Sequence, residues 1–312
     1  MGWEWWPSMN LERVLVTGAT GFIGSHLCQA LFAAGLEIIA LVHRSEPKTG
    51  GMVAVDGTLN DLTRVGEALK ECDAVLHLAA FIPPDLNDAD YAEECFRTNA
   101  FLTLRLAECV LASRPVPFIY LSSGQAYAYS PHPVSETAPL YPAKKAPYYL
   151  GTKLLGEIYV EHLRSTRGLH AVSLRVGSVY GIGMPENSSV ARFMRVACTG
   201  GTLHVPEGGQ ATADFVSVSD IVWLMLEAVR YGEPGVYNAA SGAASSILDL
   251  ARTVADVFRD RRPQIKIQPP SVAVPASFAA MDIAKARRQW GYRPCMLSEG
   301  LAQYRAAMEG RQ

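Results

Sequence analysis

The residues best placed to do chemistry are Tyr149 and Lys153, four apart in the segment APYYLGTKLLGE. The surrounding pattern is helical, and positions i and i+4 share a helix face, so phenol and ammonium point into one cleft. A free tyrosine has a pKa of about 10, too high for efficient proton transfer at neutral pH. A neighbouring ammonium favours the phenolate and brings that value toward the working pH, so Tyr149 is expected to act as an acid–base group. Tyr148 lies five residues before Lys153 and projects from another face. A serine hydrolase is excluded, because no GxSxG elbow is present and SSGQ (Ser122–Gln125) lacks the sharp strand–Ser–helix turn.

Such a pair needs a scaffold, and strand-like and helix-like segments alternate from residue 13 onward. Arg13–Thr17 (RVLVT) is an apolar, β-branched run that meets a glycine-rich turn and a helical pattern over Phe22–Ala34. Gly35 is the C-cap candidate. Further strands are expected at Glu37–Val42, Met52–Val55, Ala74–Leu78, Phe118–Ser122 and His170–Arg175, with helices over Ala89–Ser113 and Tyr149–Ser165. Apolar strands alternating with helices predict an α/β fold, a Rossmann-type doubly wound parallel sheet covered on both faces. Gly and Pro clusters at Gly181–Pro185, Pro206–Gly209 and Pro269–Pro275 then break the rhythm. The expected organisation is a tail over 1–12, a Rossmann lobe with the catalytic residues over 13–178, and a smaller α+β substrate lobe over 179–312. Segments of that lobe return to the main sheet.

The segment TGATGFIG (Thr17–Gly24) falls on the first strand–helix junction. Gly18, Gly21 and Gly24 keep it free of side chains, so the backbone around Thr20, Phe22 and Ile23 can approach a pyrophosphate at the helix N-terminus. The spacing is GxxGxxG rather than the commoner GxGxxG.

TGATGFIGSHL resembles the opening of the extended short-chain dehydrogenase/reductase family, which includes nucleotide-sugar epimerases, dehydratases and ketoreductases. The likeness runs from about Arg13 to about Gly300. HLAA (His77–Ala80) is similar to the family's cofactor-lining segment, which implies that Leu78, Ala79 and Ala80 face the cofactor. YLSSGQAY (Tyr120–Tyr127) resembles the family's strand ending in Ser-Ser-x-x-x-Tyr. On that resemblance Ser123 hydrogen-bonds the reacting oxygen, and Ser122 stands beside the cofactor. Tyr149 would exchange a proton with the substrate hydroxyl or carbonyl while hydride passes between that carbon and the nicotinamide. Lys153 would hold the nicotinamide ribose.

The end of the second strand separates the two nicotinamide cofactors. An acidic residue there bonds the ribose 2′-hydroxyl of NAD, whereas a nearby arginine accommodates a 2′-phosphate. Val42 stands where NAD-using family members carry aspartate, followed by His43 and Arg44, and a guanidinium offers phosphate a forked set of hydrogen bonds. NADP(H) is therefore favoured, with NAD(H) the other option. Thr58 and Leu59 stand at the family's Gly-Asp-Leu adenine segment, with Asp56 displaced.

On the substrate side, LRVGSVYG (Leu174–Gly181) is similar to a family segment in which Ser178 takes the place of a substrate-contacting asparagine. In ADFVSVSDIV (Ala213–Val222), Ala213 takes the place of an arginine that pairs with a nucleotide diphosphate. Arg192 or Arg195 could supply that charge instead, while Asp214 and Asp220 are expected to serve capping and packing. The resulting expectation is hydride transfer at a secondary alcohol or ketone carbon of a sugar or nucleotide sugar, by an epimerase or a 4-ketoreductase. A reductase of a non-nucleotide ketone or aldehyde stays open as an alternative. So does a non-catalytic NADP-binding regulator, although a regulator needs no Ser123, Tyr149 and Lys153 together.

A formal net charge of −2 gives no basic surface for nucleic acid or anionic lipid. No stretch approaches the roughly 20 apolar residues of a membrane helix, and the start, MGWEWWPSMN, does not read as a signal peptide. The six cysteines show no metal-like spacing, so no metal is expected and reduced thiols in the cytoplasm are. The family resemblance implies a homodimer through the helices near 89–113 and 148–166.

Overall fold

The computed structural model describes residues 11–42, 52–56, 62–141, 146–270 and 280–310, with backbone alone for 42, 52–56 and 62. The expected cofactor contacts His43, Arg44, Thr58 and Leu59 lie outside these residues, as does the tryptophan-rich tail.

The chain begins with β1 (Arg13–Thr17), α1 (Phe22–Ala33), β2 (Glu37–Val42), β3 (Met52–Asp56), α2 (Leu62–Lys70) and β4 (Ala74–His77), of which the sequence pattern anticipates all but α2. It continues through α3 (Ala92–Cys95), α4 (Leu102–Ser113), β5 (Phe118–Ser123), α5 (Pro147–Arg167), β6 (Ala171–Val176) and β7 (Ser178–Tyr180). The remainder comprises α6 (Ser189–Cys198), β8 (Thr202–Val205), β9 (Thr212–Ser217), α7 (Val218–Tyr231), β10 (Gly235–Ala239), β11 (Ala244–Ser246), α8 (Ile247–Val257), β12 (Gln264–Ile267), α9 (Ala284–Trp290) and α10 (Leu297–Glu309).

A seven-stranded sheet runs in the order β10-β6-β5-β4-β1-β2-β3. β1 pairs in parallel with both β2 and β4, so the chain order reverses there, and open α/β sheets bind ligands in the crevice beyond the carboxyl ends of such strands. Thr17 stands opposite His77 in that register. The strands are near-continuous apolar runs because both faces are covered: every residue of β4 and β5 is buried.

Two compact units form. One takes the chain up to Ala126, Leu140–Val176 and Val222–Tyr237. Its core includes Leu15, Val75, Leu106, Phe118 and Val160, each such side chain contributing about 1.5–3 kcal/mol on burial. The other takes Tyr127–Pro139, Gly177–Ile221 and the chain from Asn238 onward. It holds a three-stranded sheet, β11-β9-β7, and the pair β12-β8, around Phe193, Met194, Val254 and Phe258.

The helix expected over Ala89–Ser113 is a composite. A 3-10 turn (Ala89–Tyr91) leads into α3, and Phe96–Phe101 form a π-helical turn before α4. This turn faces α5 where Gly156 presents no side chain. A Cβ there would sit 2.6 Å from the Asn99 carbonyl oxygen and 2.7 Å from the Tyr120 hydroxyl. The Asn99 carbonyl of the widened turn occupies the space Gly156 leaves, and π-bulges are frequent at functional sites. α5 itself starts two residues earlier than expected, with Pro147 in its first turn, and ends at Gly168, whose φ of 74° is the left-handed cap.

Candidate active site

The glycine turn closes on itself so tightly that only glycine fits. Gly18 has φ 70°, and a Cβ there would lie 2.8 Å from the Ala79 nitrogen. A Cβ on Gly24 would lie 2.0 Å from the Gly18 carbonyl oxygen. Gly21 donates its N–H to Gly18 O at 3.0 Å and begins α1 with no side-chain cap and no acidic residue in the first turn. The helix's leading N–H groups therefore meet no competing carboxylate of their own, and the positive end of its dipole favours an anion. Thr20 and Gly21 are exposed, while Phe22, Ile23, Leu78, Ala79 and Ala80 are half-buried. A backbone cradle that any Cβ would fill, open at a helix N-terminus, fits the pyrophosphate of a dinucleotide.

The second group gathers where α5 meets β5. Ser123 ends β5, buried, and its Oγ accepts the Gln125 N–H at 3.3 Å; buried Ser122 precedes it. Tyr149 stands in the first turn of α5, half-buried, and Lys153 follows one turn later, only 3% exposed. Tyr120 of β5 pins the helix: its hydroxyl donates to the Lys153 carbonyl at 3.0 Å, and the Lys153 Nζ lies 4.3 Å from the centre of its ring. Ala146, just before Pro147, holds φ at 47°, a left-handed conformation that costs a non-glycine residue about 1–2 kcal/mol. Strain of this kind collects at functional sites.

The expected lowering of the Tyr149 pKa is not observed. Burial pushes the phenol up to about 12, with the Cys95 thiol adding to the effect. The same burial brings Lys153 down to about 7, opposed by the Glu157 carboxylate. The reason is burial: Lys153, over the Tyr120 ring, has lost its water, and the partly buried phenol sits where its charged form is penalised. Tyr149 thus carries its proton at neutral pH and is suited to donate it to an oxygen that gains charge.

Sequence reasoning passed over three further parts of this region. Glu157, one turn beyond Lys153, and Arg175 of β6 form a buried ion pair with contacts of 2.6 and 3.1 Å. The i,i+4 spacing of Lys153 and Glu157 was the available signal. His77, fully buried, stacks on Tyr120 and is flanked by two hydroxyls, Thr17 Oγ1 at 2.7 Å from Nδ1 and Thr103 Oγ1 at 2.8 Å from Nε2. Asn99 accepts the Phe81 N–H at 2.7 Å, and its amide donates to Phe81 O at 3.0 Å and to Thr152 Oγ1 at 3.2 Å. No local pattern marks Asn99, because its partners are distant in sequence.

Ser178 opens β7 in the second unit and is half-buried. Ala213 pairs with Ser245 across β9 and β11. Asp214 accepts hydrogen bonds from the Ser241 N–H and hydroxyl, the Gly242 N–H and the Met281 N–H, and Asp220 accepts from Cys295. Both acids hold structure together. Of the alternative phosphate partners, Arg195 pairs with Glu186 at 3.0 Å and Arg192 rests against the Phe193 ring. Among the described residues no helix is long and apolar enough to cross a membrane, and no cluster of His, Cys, Asp or Glu could hold a metal ion.

Comparison with known proteins agrees with this geometry. The model of the NAD dependent epimerase/dehydratase family matches residues 14–240. A dTDP-4-dehydro-6-deoxy-D-allose reductase from a Streptomyces species is 28% identical over 309 residues, covering 93% of this chain and 94% of its own. A UDP-glucose 4-epimerase from Mycolicibacterium smegmatis is 29% identical over 311 residues, covering 93% and 96%. Among solved structures, MoeE5 in complex with UDP-glucuronic acid and NAD superposes with a TM-score of 0.81 at 28% identity, over 96% of this chain and 100% of that one. With the glycine cradle, the reversal point of the sheet and the Tyr149–Lys153 helix in agreement, the chain belongs to the NAD dependent epimerase/dehydratase family of extended short-chain dehydrogenase/reductases.

Proposed function

We propose that this protein is an NAD(P)-dependent oxidoreductase acting at a secondary carbon of a nucleoside-diphosphate sugar, with reduction of a 4-ketosugar its favoured direction. The observation that carries the reading is the pinning of α5 to β5, which supports Ser123, Tyr149 and Lys153 working at one strand end. The bound cofactor supplies or accepts hydride. Tyr149 holds the proton that the ketone oxygen needs as it becomes an alcohol, Ser123 hydrogen-bonds that oxygen, and Lys153 orients the ribose beside it. A phenol that burial keeps protonated is in the form from which reduction starts. The likeness to both a reductase and a 4-epimerase supports the substrate class.

NADP(H) is the proposed cofactor, because Val42 removes the carboxylate that NAD-binding relatives use and His43 and Arg44 add positive charge. Arg44→Ala should weaken NADPH binding far more than NADH binding, and equal losses would remove this argument. A homodimer is supported by Phe96, Phe101 and Ile158, each about half exposed on segments that pack together. Sedimentation of the wild type as a monomer would contradict it. The cytoplasm is the proposed compartment, as all six cysteines are free thiols.

The deciding experiment offers the purified protein a dTDP-4-keto-6-deoxyhexose with NADPH or NADH, and separately UDP-glucose with no added cofactor. Consumption of reduced cofactor identifies the reductase. Formation of an epimer with no net cofactor change identifies the epimerase. Absence of both would sink the reading.

A further inference from the structure

We propose that His77 is a neutral positioning residue that joins the cofactor-gripping turn to the catalytic helix through one directional chain of hydrogen bonds. The inference rests on the site reading above and extends it to residues that touch neither cofactor nor substrate.

The direction follows from counting protons. The Thr103 hydroxyl has one, and its partners besides His77 are both acceptors: the Asn99 carbonyl at 2.8 Å and the Tyr120 oxygen, whose own proton goes to the Lys153 carbonyl. With the hydroxyl proton directed to those oxygens, we assign Thr103 Oγ1 as the acceptor from His77, which places the imidazole proton on Nε2. His77 Nδ1 is then a lone pair and accepts from the Thr17 hydroxyl, whose oxygen in turn accepts the Ala79 N–H at 3.1 Å. Every donor is used once. From Asn99 the path goes on through its amide to Thr152, and the Thr152 hydroxyl reaches the carbonyls of Tyr148 at 2.6 Å and Tyr149 at 3.0 Å.

Both ends matter. Thr17 and Ala79 flank Gly18, the glycine whose missing Cβ lets the turn close. Tyr148 and Tyr149 form the first turn of α5. A second proton on His77 would turn Nδ1 into a donor and break the chain at Thr17. The surroundings oppose that proton: burial and the Lys153 charge from α5 hold the imidazole down to about 3, and its other close neighbours, Tyr120 and Phe118 of β5, bring no anion. His77 therefore keeps its one Nε2 proton and relays none in turnover; it transmits position. A displacement of the turn when a dinucleotide binds passes through rigid side chains to the π-turn, and small errors in reacting geometry are costly.

Amide exchange tests this without a known substrate. NADPH and NADH are titrated into the wild type and into Thr17→Val, Thr103→Val and Thr103→Ser, with exchange read over residues 96–102. Binding is expected to slow exchange there in the wild type. Thr17→Val and Thr103→Val should still bind cofactor but lose that slowing, and Thr103→Ser, which keeps its hydroxyl, should retain it. Slowing that persists in both valine variants, or that is absent from a wild type saturated with cofactor, overturns the proposal. Failure of the wild type to bind either cofactor overturns the site reading itself, and the two failures are thereby distinct.

Discussion

Replacing Arg175 by methionine strands the Glu157 carboxylate in the interior. The two side chains are 7% and 4% exposed, so water screens them little. Breaking a buried pair of this kind costs about 3–5 kcal/mol, whereas replacing both partners by apolar residues is about neutral or stabilising. Arg175→Met should lower stability by that amount, and Glu157→Leu/Arg175→Met should recover most of it. Urea unfolding reads the difference as a shift in midpoint at unchanged slope. The double variant also separates stability from catalysis. Lys153 titrates at about 7, with burial lowering it and Glu157 raising it. Tyr149 one turn earlier on α5, Tyr120 from β5 and His77 from β4 are other titratable groups around it. A unit charge about 6 Å away at an effective permittivity of about 20 amounts to about 2.8 kcal/mol, or about two pH units, an upper figure because the guanidinium opposes it. Without the Glu157 charge Lys153 falls further, so its ammonium form is lost at lower pH than in the wild type. Any rate that needs the ammonium should decline from a more acidic point, even though the fold is as stable. The reasoning fails if Arg175→Met lies within about 1 kcal/mol of the wild type, or if the double variant is as unstable as the single one.

Two further outcomes follow from the same geometry. Gly24→Ala forces a Cβ against the Gly18 carbonyl, an overpacking cost of about 1–3 kcal/mol on the phosphate-binding turn. Titration should show NADPH affinity falling about tenfold or more while secondary structure by circular dichroism is kept; unchanged affinity would mean the turn does not grip the cofactor. His77 has a folded value of about 3 against 6.5 for the free side chain. A depressed base contributes stability that is full above pH 6.5 and is lost as pH falls toward 3, about 5 kcal/mol in all. His77→Gln should lack this part of the acid dependence, as measured by unfolding between pH 7 and pH 3, and an identical acid slope would contradict it.

The parts legible in the sequence are those whose cause is local. Gly18 and Gly24 announce a turn because no other residue fits, and β1, β4 and β5 announce buried parallel strands because both faces must be apolar. Tyr149 and Lys153 announce a shared face through helical spacing alone. What stayed hidden depends on tertiary neighbours. The π-turn at Phe96–Phe101 sets its Asn99 carbonyl where Gly156, far along the chain, leaves room for it. The direction of the Tyr149 shift follows from burial in the folded chain, and spacing reveals neither that nor that the Lys153 ammonium lies over Tyr120. The pairing of Glu157 with Arg175 joins a helix to a strand and has no periodic signature.

The central claim, that Tyr149 exchanges the proton while a bound nicotinamide exchanges the hydride, is met most directly by single-turnover absorbance of the reduced nicotinamide. NADPH and a dTDP-4-keto-6-deoxyhexose are mixed with the wild type and with Tyr149→Phe. The wild type should bleach the signal, and Tyr149→Phe should bind cofactor with nearly unchanged affinity and bleach it about 10²–10⁴-fold more slowly, the range for loss of a general acid. Wild-type speed in Tyr149→Phe would contradict the account.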